Sequence, residues 1–124
     1  VLTVAVDGTR IIMIDDSMVG GTTSDRIVRM LREAGAKEVH MRVSSPPFMY
    51  PCYFGTDIPA SDQLIAYYHS VEEIRQMIGA DSLAYLKLER LSQMVNGLPI
   101  CEGCFTGKYP VAPPTEDIRG EYDR

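Results

Sequence analysis

Two adjacent carboxylates, Asp15 and Asp16, close an apolar run at residues 11–14, and the small residues Ser17, Met18, Val19, Gly20, Gly21, Thr22, Thr23 and Ser24 follow. Acceptors come first along this stretch and donors afterwards. Carboxylates accept hydrogen bonds from sugar hydroxyls. A loop of small residues entering a helix turns its amides, and the positive potential of the helix N-terminus, toward an anion. Thr22 and Thr23 add hydroxyl donors. A molecule with free hydroxyls at one end and a phosphate at the other, such as a sugar phosphate, satisfies both halves. The same residues also suit a plain turn followed by a helix cap. No Gly-Lys-Ser/Thr follows, so this is not a nucleotide-triphosphate P-loop, and no GxGxxG marks a dinucleotide site.

The second candidate is sulfur. Cys101 and Cys104 form a CxxC pair, with Cys52 far upstream in Tyr-Pro-Cys. CxxC brings two thiolates within reach of one metal centre. Three buried thiols are the plain alternative, and a thioredoxin-like redox pair is disfavoured because that motif follows an early strand and opens a helix. Three cysteines are too few, and odd in number, for a disulfide framework. His40, on the polar side of an alternating segment, and His69, before a capping motif, read as surface residues. Arg26, Arg29 and Arg32 read as a solvated helix face, and the aromatics Tyr50, Tyr53, Phe54, Tyr67 and Tyr68 as packing residues.

These groups need elements to hold them. The unbroken run Ile11, Ile12, Met13, Ile14 predicts a strand buried on both faces, as in a parallel sheet. Ile27, Leu31 and Ala34 share one helical face, with Thr22, Thr23 or Ser24 as N-cap and Gly35 as the stop. Val39, Met41 and Val43 then alternate with polar residues as a strand does. Strand, loop, helix, strand is a βαβ unit, which is right-handed and sets its strands parallel. A proline-rich irregular stretch at residues 44–59 comes next. Helices are predicted at residues 61–68, 71–78 and 89–95, with a short strand at 83–86. Ser70 and Glu73 make a capping box, and Gly79 ends that helix. From Lys108 onward an extended or disordered tail is predicted. In domain terms, residues 1–97 form the α/β body and 98–124 a cysteine-bearing segment and tail.

The 124 residues are one ordinary domain in length, with 45% hydrophobic and 23% charged residues. Twelve Lys and Arg against 17 Asp and Glu give a net charge of −5. That balance argues against nucleic acid or an anionic membrane surface as a partner, although backbone amides can still bind a local phosphate. No apolar run reaches bilayer-spanning length and no signal-peptide pattern opens the chain, so a cytoplasmic location is expected. The first residue is Val1 rather than Met, and the expectation is a piece of a longer polypeptide.

IIMIDDSMVGGTTS resembles the phosphoribosyl-diphosphate (PRPP) loop of the type I phosphoribosyltransferases. The resemblance continues through IDDSMVGGTTSDRIVRMLREAGAKEVHMRVSSPP, YPCYFGTDIP, VEEIRQMIGADSLAYL and CEGCFTGKYP. In that order these segments are similar to the C-terminal part of the glutamine PRPP amidotransferases, from about Ile11 to Pro110. The resemblance implies an α/β fold: part of a Rossmann-like parallel-sheet phosphoribosyltransferase domain, with C-terminal helices. It implies that Asp15 and Asp16 hold the ribose hydroxyls and help place Mg²⁺, and that residues Ser17, Met18, Val19, Gly20, Gly21, Thr22 and Thr23 grip the 5′-phosphate. It further implies that Cys52, Cys101 and Cys104 are three of the four ligands of a [4Fe–4S] cluster found in one branch of the family, the fourth lying N-terminal to this chain. One departure stands out. Family members commonly carry Arg in Val-Arg-Gly-Thr-Thr where this chain has Gly20, which keeps the backbone donor and lacks a cation beside the phosphate.

The family's reaction forms 5-phosphoribosylamine from PRPP and glutamine-derived ammonia at the first committed step of purine synthesis. Its implied partners are PRPP, purine nucleotide inhibitors, an N-terminal glutaminase portion and further copies of the enzyme. No glutaminase nucleophile is present at Val1, and the family's pyrophosphate and closing loops lie upstream, so this chain alone is expected to be inactive. Two other readings remain open. A non-catalytic PRPP-sensing regulator would keep the loop and lose the chemistry, but it should bring a DNA-binding domain and a basic patch. A small metal or redox module built on CxxC would leave the Asp-Asp loop unexplained.

Overall fold

The computed structural model describes residues 3–114. Its elements run α1 (Thr3–Val6), β1 (Arg10–Asp15), α2 (Thr22–Glu33), β2 (Glu38–Val43), a 3₁₀ turn (Ser61–Gln63), α3 (Ile65–Tyr68), α4 (Val71–Ile78), β3 (Ser82–Tyr85), α5 (Leu88–Met94) and α6 (Gly103–Thr106). The three strands form one sheet in the order β1-β2-β3, every pair parallel. The register sets Asp15 beside Val43 and Val43 beside Tyr85, so the carboxyl ends of all three strands share one edge. Ligands of open α/β sheets bind along that edge.

One face of the sheet is well covered. Val39, Met41 and Val43 of β2 are essentially buried and, with Leu83 of β3, meet Val28 and Leu31 of α2 and Ile74 and Ile78 of α4. The other face differs from expectation. Ile12 and Ile14 are 68% and 74% exposed, so β1 is buried on one side only. The reason is that α2 and α4 both pack on the same face of the sheet. The opposite face carries a polar ladder across β2 and β3. His40 Nδ1 lies 2.6 Å from Ser82 Oγ, His40 Nε2 2.9 Å from Glu38 Oε2, and Arg42 donates to Ser82 Oγ at 2.8 Å. His40 is thus a half-buried, hydrogen-bonded residue rather than a solvated one.

The helices follow the sequence with local corrections. Ser70 Oγ accepts from the Glu73 amide at 3.2 Å, as a capping box requires, and Gly79 closes α4. At the start of α2 no threonine or serine side chain makes a cap bond, and Gly21 is the N-cap residue. Residues 61–68 are two short pieces rather than one helix. Leu64 takes extended backbone between them, and its side chain, 1% exposed, is buried with Phe48 and Ile58. Arg32 is not a mere solvated side chain. It donates to the Gly79 carbonyl at 2.6 Å and pairs with Asp81 at 3.0 Å, joining α2 to the turn before β3.

The cysteine-bearing segment packs back on the body. The Cys104 carbonyl accepts from the Met49 and Tyr50 amides, each at 3.0 Å, and Phe105 stacks on Phe48 with centroids 5.3 Å apart. Residues 109–114 lack regular structure, yet Tyr109 is fixed. Its hydroxyl donates to the Pro51 carbonyl at 2.8 Å, and its ring meets Tyr53 and Phe54 edge-on. The rest of the expected tail, residues 115–124, lies outside the described residues. No helix among the described residues is long and apolar enough to cross a membrane.

Candidate functional site

A cavity of about 310 Å³ opens at the carboxyl end of β1, lined by Asp15 and every residue from 17 to 24. The strand places Asp15 at the rim, where the register ends beside Val43. The Asp15 carbonyl is tied to the next strand by the Ser44 amide and hydroxyl, both at 2.9 Å. Its carboxylate accepts the Asp16 amide on Oδ1 at 2.8 Å, and Asp16 Oδ1 accepts the Ser17 hydroxyl at 3.2 Å. Each acid therefore keeps a second oxygen for other donors. Asp16 is exposed and does not line the cavity, so the two acids stand at different depths.

The loop is held from beneath. Met18 is buried in the main core, and the Tyr85 hydroxyl donates to its sulfur at 3.5 Å. Burial pushes the Tyr85 hydroxyl up to about 12, so it remains a neutral donor. Val19 packs with the Phe48, Ile58 and Leu64 cluster, and its carbonyl accepts from the Ile65 amide at 2.9 Å. Gly21 has φ 78°, and a Cβ there would come within 2.8 Å of Ile65 Cδ1. Met18 and Val19 thus face inward, and what they can offer a ligand is main chain. Thr22 and Thr23 are exposed at the first turn of α2, where backbone amides have no intrahelical acceptor. The arrangement is one of loop main chain and exposed Thr22 and Thr23 beside a carboxylate rim. No Lys or Arg lines the cavity.

Mg²⁺ is commonly held by one or two carboxylates completed by ligand oxygens and water. Asp15 and Asp16, each with an oxygen to spare, fit that role. The cysteines do not fit theirs as well. Cys52 and Cys104 border the same apolar cluster, while Cys101 is exposed. Burial pushes the Cys104 thiol up, with the neighbouring Cys52 and Cys101 adding to the rise. Among the described residues no three His, Cys, Asp or Glu side chains converge as a metal-holding group.

The chain is 54% identical over 110 residues to the chloroplastic amidophosphoribosyltransferase of Glycine max, covering 87% of this chain and 19% of the relative. It is 53% identical over 116 residues to the amidophosphoribosyltransferase of Archaeoglobus fulgidus, covering 90% of this chain and 25% of the relative. This chain is a homologue of the amidophosphoribosyltransferases. It matches their C-terminal region and spans about a fifth to a quarter of the length of these relatives. The solved glutamine PRPP amidotransferase from B. subtilis, complexed with ADP and GMP, matches with a TM-score of 0.85 at 50% identity, over 93% of this chain and 27% of that one. The fold is accordingly that of a phosphoribosyltransferase. No protein-family model matches the chain.

The sequence marks the loop at residues 15–24 but not its supports. Tyr85, Ile65 and Ser44 hold it from positions 29 to 67 residues away, and no local pattern marks them. A second cavity beside the loop, lined by residues from Asp62 to Met77, had no sequence signal either.

Proposed function

We propose that this chain is the sugar-phosphate-binding region of an amidophosphoribosyltransferase, the enzyme that forms 5-phosphoribosylamine from PRPP and ammonia at the first committed step of purine synthesis. The observation that carries the reading is the cavity at the carboxyl edge of β1, with an acid at its rim and an unbroken run of loop residues around it. Asp15 and Asp16 accept the ribose hydroxyls. The amides of the loop and the hydroxyls of Thr22 and Thr23 donate to the 5′-phosphate. Asp15 and Asp16 would hold Mg²⁺, which would offset negative charge on the diphosphate.

The chemistry needs little else from this segment. The ammonia nitrogen bonds to ribose C1 as the C1–oxygen bond to pyrophosphate breaks, and the nitrogen then gives a proton to solvent. The carbon becomes oxocarbenium-like on the way, and nearby carboxylates favour that positive charge. Ammonia is already a nucleophile, so positioning is the main contribution. Turnover we assign to the full-length amidophosphoribosyltransferase, of whose relatives' length this chain spans about a fifth to a quarter. Purine nucleotides, as in the ADP- and GMP-bound relative, compete for the same cradle. Assembly of the enzyme into homo-oligomers and a cytoplasmic location complete the proposal.

Calorimetry with ribose 5-phosphate and Mg²⁺ tests it. The chain should bind, and Asp15→Asn with Asp16→Asn should weaken binding by about tenfold without unfolding it, the loss expected of one or two charge-assisted hydrogen bonds. Unchanged affinity in the double variant would mean that the acids only terminate the strand.

A further inference from the structure

The peptide joining Asp15 to Asp16 is hydrogen-bonded at both of its polar atoms. A peptide carbonyl oxygen has two lone pairs. At Asp15 one residue supplies both donors: the Ser44 amide and the Ser44 hydroxyl, each at 2.9 Å. The N–H of the same peptide belongs to Asp16, and it donates to Asp15 Oδ1 at 2.8 Å. The unit is planar, so fixing its carbonyl fixes the direction of its N–H. The N–H in turn sets where the Asp15 carboxylate is held. Oδ1 is drawn back to the main chain, and Oδ2 is left to a ligand in the cavity that Asp15 lines.

Ser44 is a firm anchor for this relay. It follows the last residue of β2, and the Leu86 amide donates on either side of it, to the Val43 carbonyl at 3.0 Å and the Ser45 carbonyl at 3.2 Å. The Ser44 amide bond only continues the parallel ladder beyond its last residue pair. The hydroxyl is the addition. With the amide alone the peptide can rock about its long axis, and a second donor on the same oxygen resists that motion. Ser45, next along, instead gives its hydroxyl to the Pro46 carbonyl at 3.1 Å.

We infer that Ser44 is a positioning residue for the sugar end of the cradle: its hydroxyl, acting through the Asp15–Asp16 peptide, aims the Asp15 carboxylate at the ribose hydroxyls. The aiming role rests on the sugar-phosphate reading of the cradle; the relay from Ser44 to the Asp16 amide does not. Calorimetry with ribose 5-phosphate and Mg²⁺ tests the first, and the Asp16 amide resonance of the ligand-free chain tests the second. Ser44→Ala should weaken ribose 5-phosphate binding about threefold, near the lower end for one hydrogen bond because Ser44 is exposed. Ser44→Thr should restore it, and Ser45→Ala should bind as the parent does. In an Asp15→Asn background Ser44→Ala should cost nothing further, since the relay then has no carboxylate to aim. The Asp16 amide resonance should move in Ser44→Ala and stay in place in Ser44→Thr and Ser45→Ala. An unmoved Asp16 amide would overturn the relay. Parent-like affinity in Ser44→Ala, a loss that Ser44→Thr does not restore, or a loss fully additive with Asp15→Asn would overturn the aiming role while the sugar-phosphate reading stood. No ribose 5-phosphate binding by the parent chain would overturn that reading and the aiming role with it.

Discussion

Gly20 and Gly21 are neighbours under opposite constraints. At Gly21 the backbone is left-handed, φ 78°, and the space a methyl would need is taken by Ile65. Gly21→Ala should therefore destabilise the chain by about 1–3 kcal/mol, read as a shift in the urea midpoint. Gly20→Ala has ordinary backbone and open space, and should stay within about 0.5 kcal/mol of the parent. Equal costs at the two sites would show that loop backbone, not the Ile65 contact and the φ angle, sets the requirement. Asp15 and Asp16 are likewise adjacent but unequal, one lining the cavity and one at its outside. Their single variants should differ in ribose 5-phosphate affinity, Asp15→Asn losing more.

At the level of elements, the joint between α2, β2 and the turn before β3 rests on Asp81. Its carboxylate accepts the Val39 amide at 2.7 Å and the Arg32 guanidinium at 3.0 Å. The Val39 amide first, and Arg32 with it, hold the Asp81 carboxyl below the usual carboxylate range. A folded pKa below the unfolded one gives stability that is fully present above the unfolded value and is lost as pH falls through the folded one. Urea midpoints followed from about pH 7 to about pH 3 should fall on the acid side. Asp81→Ala should lower the neutral-pH stability by about 1 kcal/mol, since the pair is partly exposed, and should flatten that acid limb. It should not abolish the limb. Glu72 and Glu73, held low by hydrogen bonds from Arg75 and His69, share it. An unaltered pH profile in Asp81→Ala would remove this joint from the account.

Across the whole molecule, one sheet face is packed and the other carries Ile12 and Ile14 in the open. Replacing both by Thr keeps β-branching and should cost no more than about 0.5 kcal/mol per site, because no packing is lost. Self-association measured by sedimentation should fall in the same variant, since exposed apolar strand surface favours association. A large loss of stability would mean that the face is covered after all. The three thiols make a second prediction at this scale. The chain carries three cysteines, where a four-iron cluster takes four thiolates, and among the described residues no side chains converge as a metal-holding group. Anaerobic treatment of the chain with iron and sulfide should therefore leave no stable four-iron chromophore. A stable one would show that the segment rearranges to bind it.

Much of this was legible in the residues themselves. The Asp-Asp terminus of an apolar run, the Gly-Thr loop and the start of α2 are consecutive in the chain, so periodicity and residue type sufficed to place strand, loop and helix in order. The capping box at Ser70 and Glu73 was equally local. What the sequence could not carry was the sidedness of the sheet and the partners of the loop. A continuous apolar run looks the same whether one face or two are packed, and only the placement of α2 and α4 on a single face exposed Ile12 and Ile14. The order of donors and acceptors along the cradle is a property of neighbouring residues. The depth of each acid, the buried Met18–Tyr85 contact and the opening at Gly20 depend on atoms many residues apart, which tertiary packing alone brings together.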